Sequence, residues 1–215
     1  MKTFEEYLEE GKNDPAIFKA VFMAGGPGSG KSYVSQKLAL EALGFRPINS
    51  DLAFEYLMKR ENVSFKMDDR EATKRDALRS RAKSLTGSKQ ALSVNGRLGL
   101  LIDGTGREYA KIKKIKDNLE EVGYETMMVF VNTSLDTALE RNQMRARTVP
   151  EKIVKRSWQD VQNNIGKFQT LFSNRMIVID NNEGEPDVKK AYSRIRSFSK
   201  QPPKMSVAKK WIESQ

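Results

Sequence analysis

Short apolar runs alternate along the chain with stretches in which apolar residues recur every three or four positions. Five runs are rich in β-branched and aromatic residues, which predicts buried strands over residues 18–24, 45–49, 98–102, 125–131 and 175–179. The helical spacing predicts helices after residue 31 and over residues 51–60, 71–94, 109–122, 135–145, 150–172 and 187–198. Gly44 is predicted to end the first helix, and Gly87 is a candidate break in the long third one. Alternating strands and helices predict an α/β fold with a five-stranded parallel sheet covered on both faces.

The chain has 215 residues, a length that fits one domain with a full core. We predict a domain over residues 16–200, preceded by an N-terminal arm (residues 1–15) and followed by a basic C-terminal tail (residues 201–215). The tail contains Trp211, for which docking on the body, on another chain or on a nucleic-acid base all stay open. Trp158 continues the apolar stripe of residues 150–172 and is predicted to be a core residue.

Residues 25–32 read GGPGSGKS, the G-x-x-x-x-G-K-S pattern of a phosphate-binding loop, or P-loop. The loop lies between a predicted strand and a predicted helix, as this chemistry requires. Its glycines let backbone N–H groups surround a polyphosphate, and the helix N-terminus adds a positive dipole end. The pattern predicts an ATP site formed by Gly25, Gly26, Pro27, Gly28, Ser29, Gly30, Lys31, Ser32 and Tyr33. Lys31 is predicted to contact the β- and γ-phosphates, and Ser32 to bind Mg²⁺.

Two aspartates follow predicted strands at the sheet edge where open α/β folds bind ligands. Asp51 comes after the second strand and begins a helix, so it is predicted either as a catalytic carboxylate or as a helix N-cap. Asp103 ends the third strand, which has the form of a Walker B element whose carboxylate helps to hold Mg²⁺.

The predicted helix over residues 135–145 runs into a cluster of three arginines before Val149-Pro150, namely Arg141, Arg145 and Arg147. Clustered arginines repel one another unless an anion brings them together. A phosphoryl group in transfer is such an anion, so the cluster is predicted to be a catalytic, arginine-bearing lid. The alternative is a solvated run of charges paired with nearby acidic residues.

The composition excludes several kinds of chemistry, because the chain has neither cysteine nor histidine. Disulfides, thiolate sites and imidazole catalysis are absent, so a general base would be Asp or Glu. No apolar run approaches the roughly 20 residues of a membrane span, and the N-terminus is acidic rather than signal-like. These features predict a cytoplasmic protein, in the host cytoplasm if the chain is viral, with no membrane partner.

The net charge of +10 is concentrated in residues 70–89 and 187–215. This excess favours an anionic partner such as nucleic acid, although a solvated basic surface is the simpler alternative.

Taken together, these motifs resemble the P-loop kinases of the polynucleotide kinase and zeta-toxin group, including their phage members. The loop GGPGSGKS, the segment Ile48-Asn49-Ser50-Asp51 and the arginines that lead to Val149-Pro150 are similar to the family's P-loop, base-bearing strand end and lid. The resemblance implies a strand order of 2-3-1-4-5, ATP with Mg²⁺, a lid arginine at position 145 that contacts the phosphates, and Asp51 as the base for an acceptor hydroxyl.

The resemblance leaves the acceptor open. Polynucleotide kinases carry an arginine three residues after the aspartate, where this chain has Phe54, which weakens the expectation of 5′-end recognition. Residues 102–107 resemble the zeta-toxin segment that serves a nucleotide-sugar acceptor, which makes Arg107 a candidate substrate contact. We therefore expect a kinase of a nucleic-acid or nucleotide hydroxyl, either at a 5′ end or on hydroxymethylated pyrimidines of DNA. The alternatives are a nucleotide-sugar or small-metabolite kinase, and a nucleic-acid-binding ATPase without an acceptor.

Overall fold

A computed structural model describes residues 11–65, 69–144, 148–182 and 184–215 of the chain. Its centre is a sheet of five parallel strands, which are β1 (Lys19–Ala24), β2 (Arg46–Ile48), β3 (Leu100–Asp103), β4 (Glu125–Asn132) and β5 (Met176–Asp180). The strands lie in the order β2-β3-β1-β4-β5. The predicted fold class and the strand order implied by the family resemblance are therefore confirmed.

Nine α-helices lie within the described ranges: α1 (Lys31–Lys37), α2 (Ser50–Arg60), α3 (Ala72–Asn95), α4 (Tyr109–Glu121), α5 (Leu135–Gln143), α6 (Glu151–Gln162), α7 (Ile165–Phe172), α8 (Lys189–Lys200) and α9 (Ser206–Glu213). Short 3₁₀ turns occur at Leu40–Leu43, Asp69–Glu71 and Ser173–Arg175.

Both faces of the sheet are buried because side chains alternate along each strand. On one face, Val21 and Met23 of β1 pack with residues of α1 and α8. On the other face, Phe22 of β1 packs with α4, α7 and α9. A third, smaller cluster joins α2 to α3 through Phe54, Leu57, Met58, Leu78 and Ala82. The third cluster places a pair of helices beside the end of β2.

Three helical predictions differ from the structure in detail. The predicted helix over residues 150–172 is two helices, α6 and α7, because the chain turns at Asn163 and Asn164, and the Asn164 side chain is bound to the loop after β3. Gly87 does not interrupt α3, which is one helix of 24 residues. The first helix is also shorter than expected, since α1 ends at Lys37 and a 3₁₀ turn leads on to Gly44.

The C-terminal helix α9 packs on the body of the protein. The Trp211 ring meets the buried Phe18 ring edge-on, with the ring centres 5.5 Å apart. The Arg97 guanidinium lies 5.9 Å from the Trp211 ring, and Ala208 is fully buried. Of the three alternatives for Trp211, the structure shows docking on the body. The contact with Phe18 lies at the start of β1, whereas the P-loop follows the end of that strand.

Candidate active site

The P-loop connects β1 to α1 and is held in a conformation that depends on glycine. Gly28 and Gly30 both have a φ of +78°, in the left-handed region that other residues rarely adopt. A Cβ atom on Gly28 would lie 2.3 Å from the carbonyl oxygen of Ala138 in α5, so this helix packs directly against the loop. The Lys31 Nζ donates a hydrogen bond to the Gly25 carbonyl over 2.8 Å. Lys31 therefore lies across the P-loop, the segment that the sequence predicts to bind phosphates.

The loop's polar groups are only partly satisfied within the protein. Ser29 is buried and its Oγ has no hydrogen-bond partner in the described part of the chain. Ser32 and Tyr33 are exposed at the start of α1, and the Lys37 ammonium lies 5.5 Å from the Tyr33 ring centre. A loop with exposed hydroxyls at a helix N-terminus can receive an anionic ligand.

Asn181, which sequence reasoning missed, supports the P-loop from the side. It follows β5 directly, and its Nδ2 donates to the Ser29 carbonyl over 2.7 Å. Arg141 donates to the carbonyls of Asn181 (2.7 Å) and Asn182 (3.2 Å). The only signal for Asn181 in the sequence is its place at the carboxyl end of a strand, where ligand sites form. The structure thus places Arg141 against the loop after β5, beside the P-loop, while its catalytic role remains a prediction.

Asn49 connects the two predicted aspartates. Its Oδ1 accepts a hydrogen bond from the backbone N–H of Asp51 over 2.7 Å and thereby caps α2. Its Nδ2 donates to Oδ2 of Asp103 over 2.6 Å. The capping role considered for Asp51 therefore belongs to Asn49, and the Asp51 carboxylate stands exposed in the first turn of α2. This leaves Asp51 available for an acceptor hydroxyl.

The electrostatic environment of Asp103 shifts the pKa of its carboxyl group upward. Burial raises its pKa, and the Lys31 charge and the Asn49 hydrogen bond oppose that rise, while the Asp51 charge adds to it. Its Oδ1 is buried without a partner among the described residues. An unpaired buried carboxylate oxygen costs free energy unless a ligand binds it.

These donors fit Mg²⁺. The ion is usually held by one or two protein oxygens together with substrate phosphates and water, and Ser32 and Asp103 supply that number. Within the described ranges there is no cluster of three or more histidine, cysteine or acidic residues that could hold a metal ion.

The loop after β3 carries Arg107 and is anchored on both sides. Gly25 N–H donates to the Thr105 carbonyl over 3.1 Å, which links this loop to the P-loop. The buried Asn164 donates to the carbonyls of Gly106 and Arg107 over 3.0 and 2.8 Å. The Arg107 side chain is exposed and lies 3.6 Å from the Asp160 carboxylate. The contact between Arg107 and a substrate therefore stays a prediction.

Arg145 and Arg147, two of the predicted lid residues, lie outside the described residues. The chain on either side of them is joined by Asn142, whose side chain accepts from Val149 N–H (3.0 Å) and donates to the Val149 carbonyl (2.8 Å). Trp158 is half-buried beside the P-loop, and its Nε1 donates to the Thr133 carbonyl over 2.8 Å. The prediction that Trp158 is a core residue is therefore wrong, because its ring lies against Gly26 of the P-loop and outside the buried apolar clusters.

A parallel sheet in this order, with a P-loop after β1 and carboxylates after β2 and β3, is the arrangement of the P-loop kinase fold. The chain belongs to the zeta toxin family, whose family model matches residues 5–189. No helix among the described residues is both long and apolar enough to cross a membrane.

Known proteins with related sequence or structure include several kinases and toxins. A segment of 135 residues is 31% identical to adenylate kinase isoenzyme 5 of Bos taurus and covers 62% of this chain but 23% of that protein. The AvrRxo1-ORF1:-ORF2 complex solved with ATP superimposes with a TM-score of 0.58 at 15% identity, over 94% of this chain and 73% of that one. The PezAT toxin–antitoxin system of Streptococcus pneumoniae gives a TM-score of 0.53 at 16% identity, over 98% and 92%.

Proposed function

We propose that the protein transfers the γ-phosphoryl group of ATP to a hydroxyl group of a nucleic acid or a nucleotide. The observation that carries this proposal is the junction of Asp51, Asn49 and Asp103 next to the P-loop lysine. The Asp51 carboxylate is exposed at the start of α2, which suits contact with an acceptor hydroxyl. The Asp103 carboxylate has a buried oxygen without a partner among the described residues, which suits contact with a metal ion.

In this mechanism the P-loop amides and Lys31 hold the β- and γ-phosphates. Ser32 and Asp103 would hold Mg²⁺, which neutralises charge on the phosphates when bound. Asp51 orients the acceptor hydroxyl and accepts its proton as the oxygen attacks the γ-phosphorus. The new oxygen–phosphorus bond forms as the bond to the bridging β–γ oxygen breaks, and ADP leaves. Arg141, Arg145 and Arg147 are proposed to neutralise the charge of the group in transfer.

Support for ATP comes from the P-loop itself and from the AvrRxo1 complex, which was solved with ATP. Support for a nucleic-acid or nucleotide acceptor comes from the net charge of +10. A nucleotide-sugar is the second candidate, favoured by membership of the zeta toxin family and by the anchored loop that presents Arg107.

The test is transfer of labelled γ-phosphate from ATP with Mg²⁺ to three acceptors: a 5′-hydroxyl oligonucleotide, DNA with hydroxymethylated pyrimidines, and a nucleotide-sugar. Label on either nucleic acid is expected, and it should be lost in Lys31→Ala with the fold retained. Label on the nucleotide-sugar alone would favour the second candidate. Release of free phosphate with no labelled acceptor would contradict the kinase proposal and favour an ATPase.

Salt dependence gives a second measure of the acceptor class. Affinity for a nucleic acid falls steeply with salt because counterions are released on binding. A small nucleotide-sugar displaces few ions, so its binding should change much less over the same range of salt.

A further inference from the structure

An arginine of α3 lies on an aromatic ring of α2, close to the start of the latter helix. The Arg79 Cζ is 4.7 Å from the centre of the Phe54 ring. Phe54 is 3% exposed and belongs to the apolar cluster that joins the two helices, so the ring is a fixed platform. Arg79 itself is half-buried.

The position of Phe54 brings this arginine toward the proposed base. Phe54 lies three residues after Asp51 in α2, and residues three apart are neighbours on a helix surface, with Cβ atoms about 5–6 Å apart. Side chains in helices lean toward the N-terminus, so a residue covers the turn that precedes it. By this rule the Phe54 side chain covers the turn of α2 that begins near Asp51, and the Arg79 guanidinium lies over the Phe54 ring.

The guanidinium is also available to a ligand. Among the residues that the structure describes, Arg79 forms no ion pair, and its one side-chain interaction is with the Phe54 face. A guanidinium over the face of a ring can keep N–H groups at its edge free to donate. A half-buried guanidinium with no carboxylate partner among the described residues suits a bidentate anion such as phosphate.

We propose that Arg79 binds a phosphate group of the acceptor while the acceptor's hydroxyl faces Asp51. The inference rests on the proposed kinase function and names the residue that would recognise the phosphate which all of its candidate acceptors share. A nucleotide, a strand of nucleic acid and a nucleotide-sugar all satisfy it, whereas a free sugar or a nucleoside does not. Arg79 acts here as a specificity residue that holds the substrate, and it takes no part in proton transfer.

The experiment compares two matched pairs of probes: uridine with uridine 3′-monophosphate, and N-acetylglucosamine with its uridine-diphosphate conjugate. Binding is measured by calorimetry with the P-loop filled by Mg²⁺ and a non-hydrolysable ATP analogue, so that phosphate binding at the P-loop does not contribute. In the unaltered protein, at least one phosphate-bearing probe should bind more tightly than its uncharged partner. Arg79→Gln should remove that preference, weakening the phosphate-bearing probe by about 10- to 100-fold, the worth of a charge-assisted hydrogen bond.

Two variants control this result. Arg79→Lys keeps the charge and should retain part of the preference, whereas Arg81→Gln removes an exposed arginine two positions away on α3 and should leave it unchanged. Thermal unfolding should be similar in all three variants, because none of these side chains is fully buried. A preference that survives in Arg79→Gln, or the lack of any preference in the unaltered protein, would overturn the inference.

Phosphoryl transfer measured in parallel separates this inference from the proposed function. Transfer that is equally efficient in the unaltered protein and in Arg79→Gln would leave the kinase in place and remove Arg79 from its substrate site. A second outcome is phosphate binding that depends on Arg79 without transfer to any acceptor. This result would contradict the proposed kinase function and would support Arg79 as an anion-binding residue.

Discussion

The Asn49 Nδ2 donates a hydrogen bond to Oδ2 of Asp103 over 2.6 Å, across the ends of two neighbouring strands. The same side chain caps α2 through the N–H of Asp51. One amide group thus fixes the predicted metal ligand and the backbone that carries the predicted base. Mutation of a group that orients a metal ligand in this way typically lowers metal affinity or activity by about 10- to 100-fold.

Asn49→Asp should lower kcat by about 10- to 100-fold while leaving the helix cap intact. Aspartate caps helices as well as asparagine does, but it replaces the donor that faces Asp103 with a second carboxylate. Asn49→Ala removes both functions and should in addition lower the free energy of unfolding by about 1 kcal/mol. Steady-state kinetics and denaturant unfolding of the two variants separate the effects. Unchanged kcat in Asn49→Asp would show that the bond to Asp103 has no catalytic role.

Asp51→Asn should reduce kcat by about 10²- to 10⁴-fold, the usual contribution of a positioned general base. Affinity for ATP should change little, because Asp51 lies on α2 and outside the P-loop. Since Asn49 already caps the helix, the variant should also unfold at nearly the same denaturant concentration. A kcat close to that of the unaltered protein would mean that another group accepts the proton.

Asp103→Asn should change the pH dependence of stability in a direction that the structure determines. Burial raises the pKa of Asp103 above its ordinary value of 3.8, so the folded state binds the proton more tightly than the unfolded state. Stability from this group is therefore present below pH 3.8 and is lost as the pH rises through the folded pKa. Asparagine does not titrate, so the ligand-free Asp103→Asn variant does not lose this contribution as the pH rises. Its free energy of unfolding, relative to that of the unaltered protein, should therefore increase between pH 4 and pH 7.

Denaturant unfolding across that pH range measures the difference, and Mg²⁺-dependent ATP binding provides the functional readout. The variant should bind ATP with much less dependence on Mg²⁺. A constant stability difference over the whole range would contradict the raised pKa, and retained Mg²⁺ dependence would remove Asp103 from the metal site.

Sequence reasoning predicted the elements that depend on local pattern. The P-loop, the five strands and the aspartates at positions 51 and 103 follow from apolar runs and from the residues that end them, whereas the strand order came from the family resemblance. The break at Asn164 was missed because the apolar stripe continues across it, and only a contact with residues 106 and 107 reveals it. Contacts of this kind join residues far apart in sequence. Arg79 on Phe54 and Asn181 on Ser29 are two more, and no local pattern indicates them.

Gly28→Ala should destabilise the protein and weaken ATP binding. The new methyl group would lie 2.3 Å from the Ala138 carbonyl oxygen, at a φ of +78° that alanine tolerates poorly, so the loop or α5 must move. Forcing extra atoms into a packed site typically costs about 1–3 kcal/mol.

Gly87→Ala is the matched control, since no atom lies within 4 Å of the added carbon and the residue is in the middle of α3. It should stabilise the protein by about 0.5–1 kcal/mol. Thermal or denaturant unfolding of both variants should therefore give changes of opposite sign.

Glu125→Ala should be strongly destabilising, because it leaves a buried cation without its counter-charge. Lys19 is fully buried at the start of β1, forms an ion pair with Glu125, and lies 5.2 Å from the Phe198 ring centre. Arg175 binds the other oxygen of Glu125 over 3.1 Å. Removal of one partner from a buried pair typically costs about 3–5 kcal/mol. The exposed pair of Lys37 and Glu185 is the control, and Glu185→Ala should have little effect on unfolding.

The pH dependence of the Glu125→Ala variant tests the cause of its instability. Burial already lowers the pKa of Lys19 below 10.5, and loss of the carboxylate should lower it further. The unfolded chain then holds a proton that the folded variant has released, so stability should rise with pH until the unfolded lysine also titrates near 10.5. Denaturant unfolding at pH 7 and pH 9.5 should show the variant recovering part of its loss relative to the unaltered protein. An equal deficit at both pH values would attribute the damage to lost packing instead of to the buried charge.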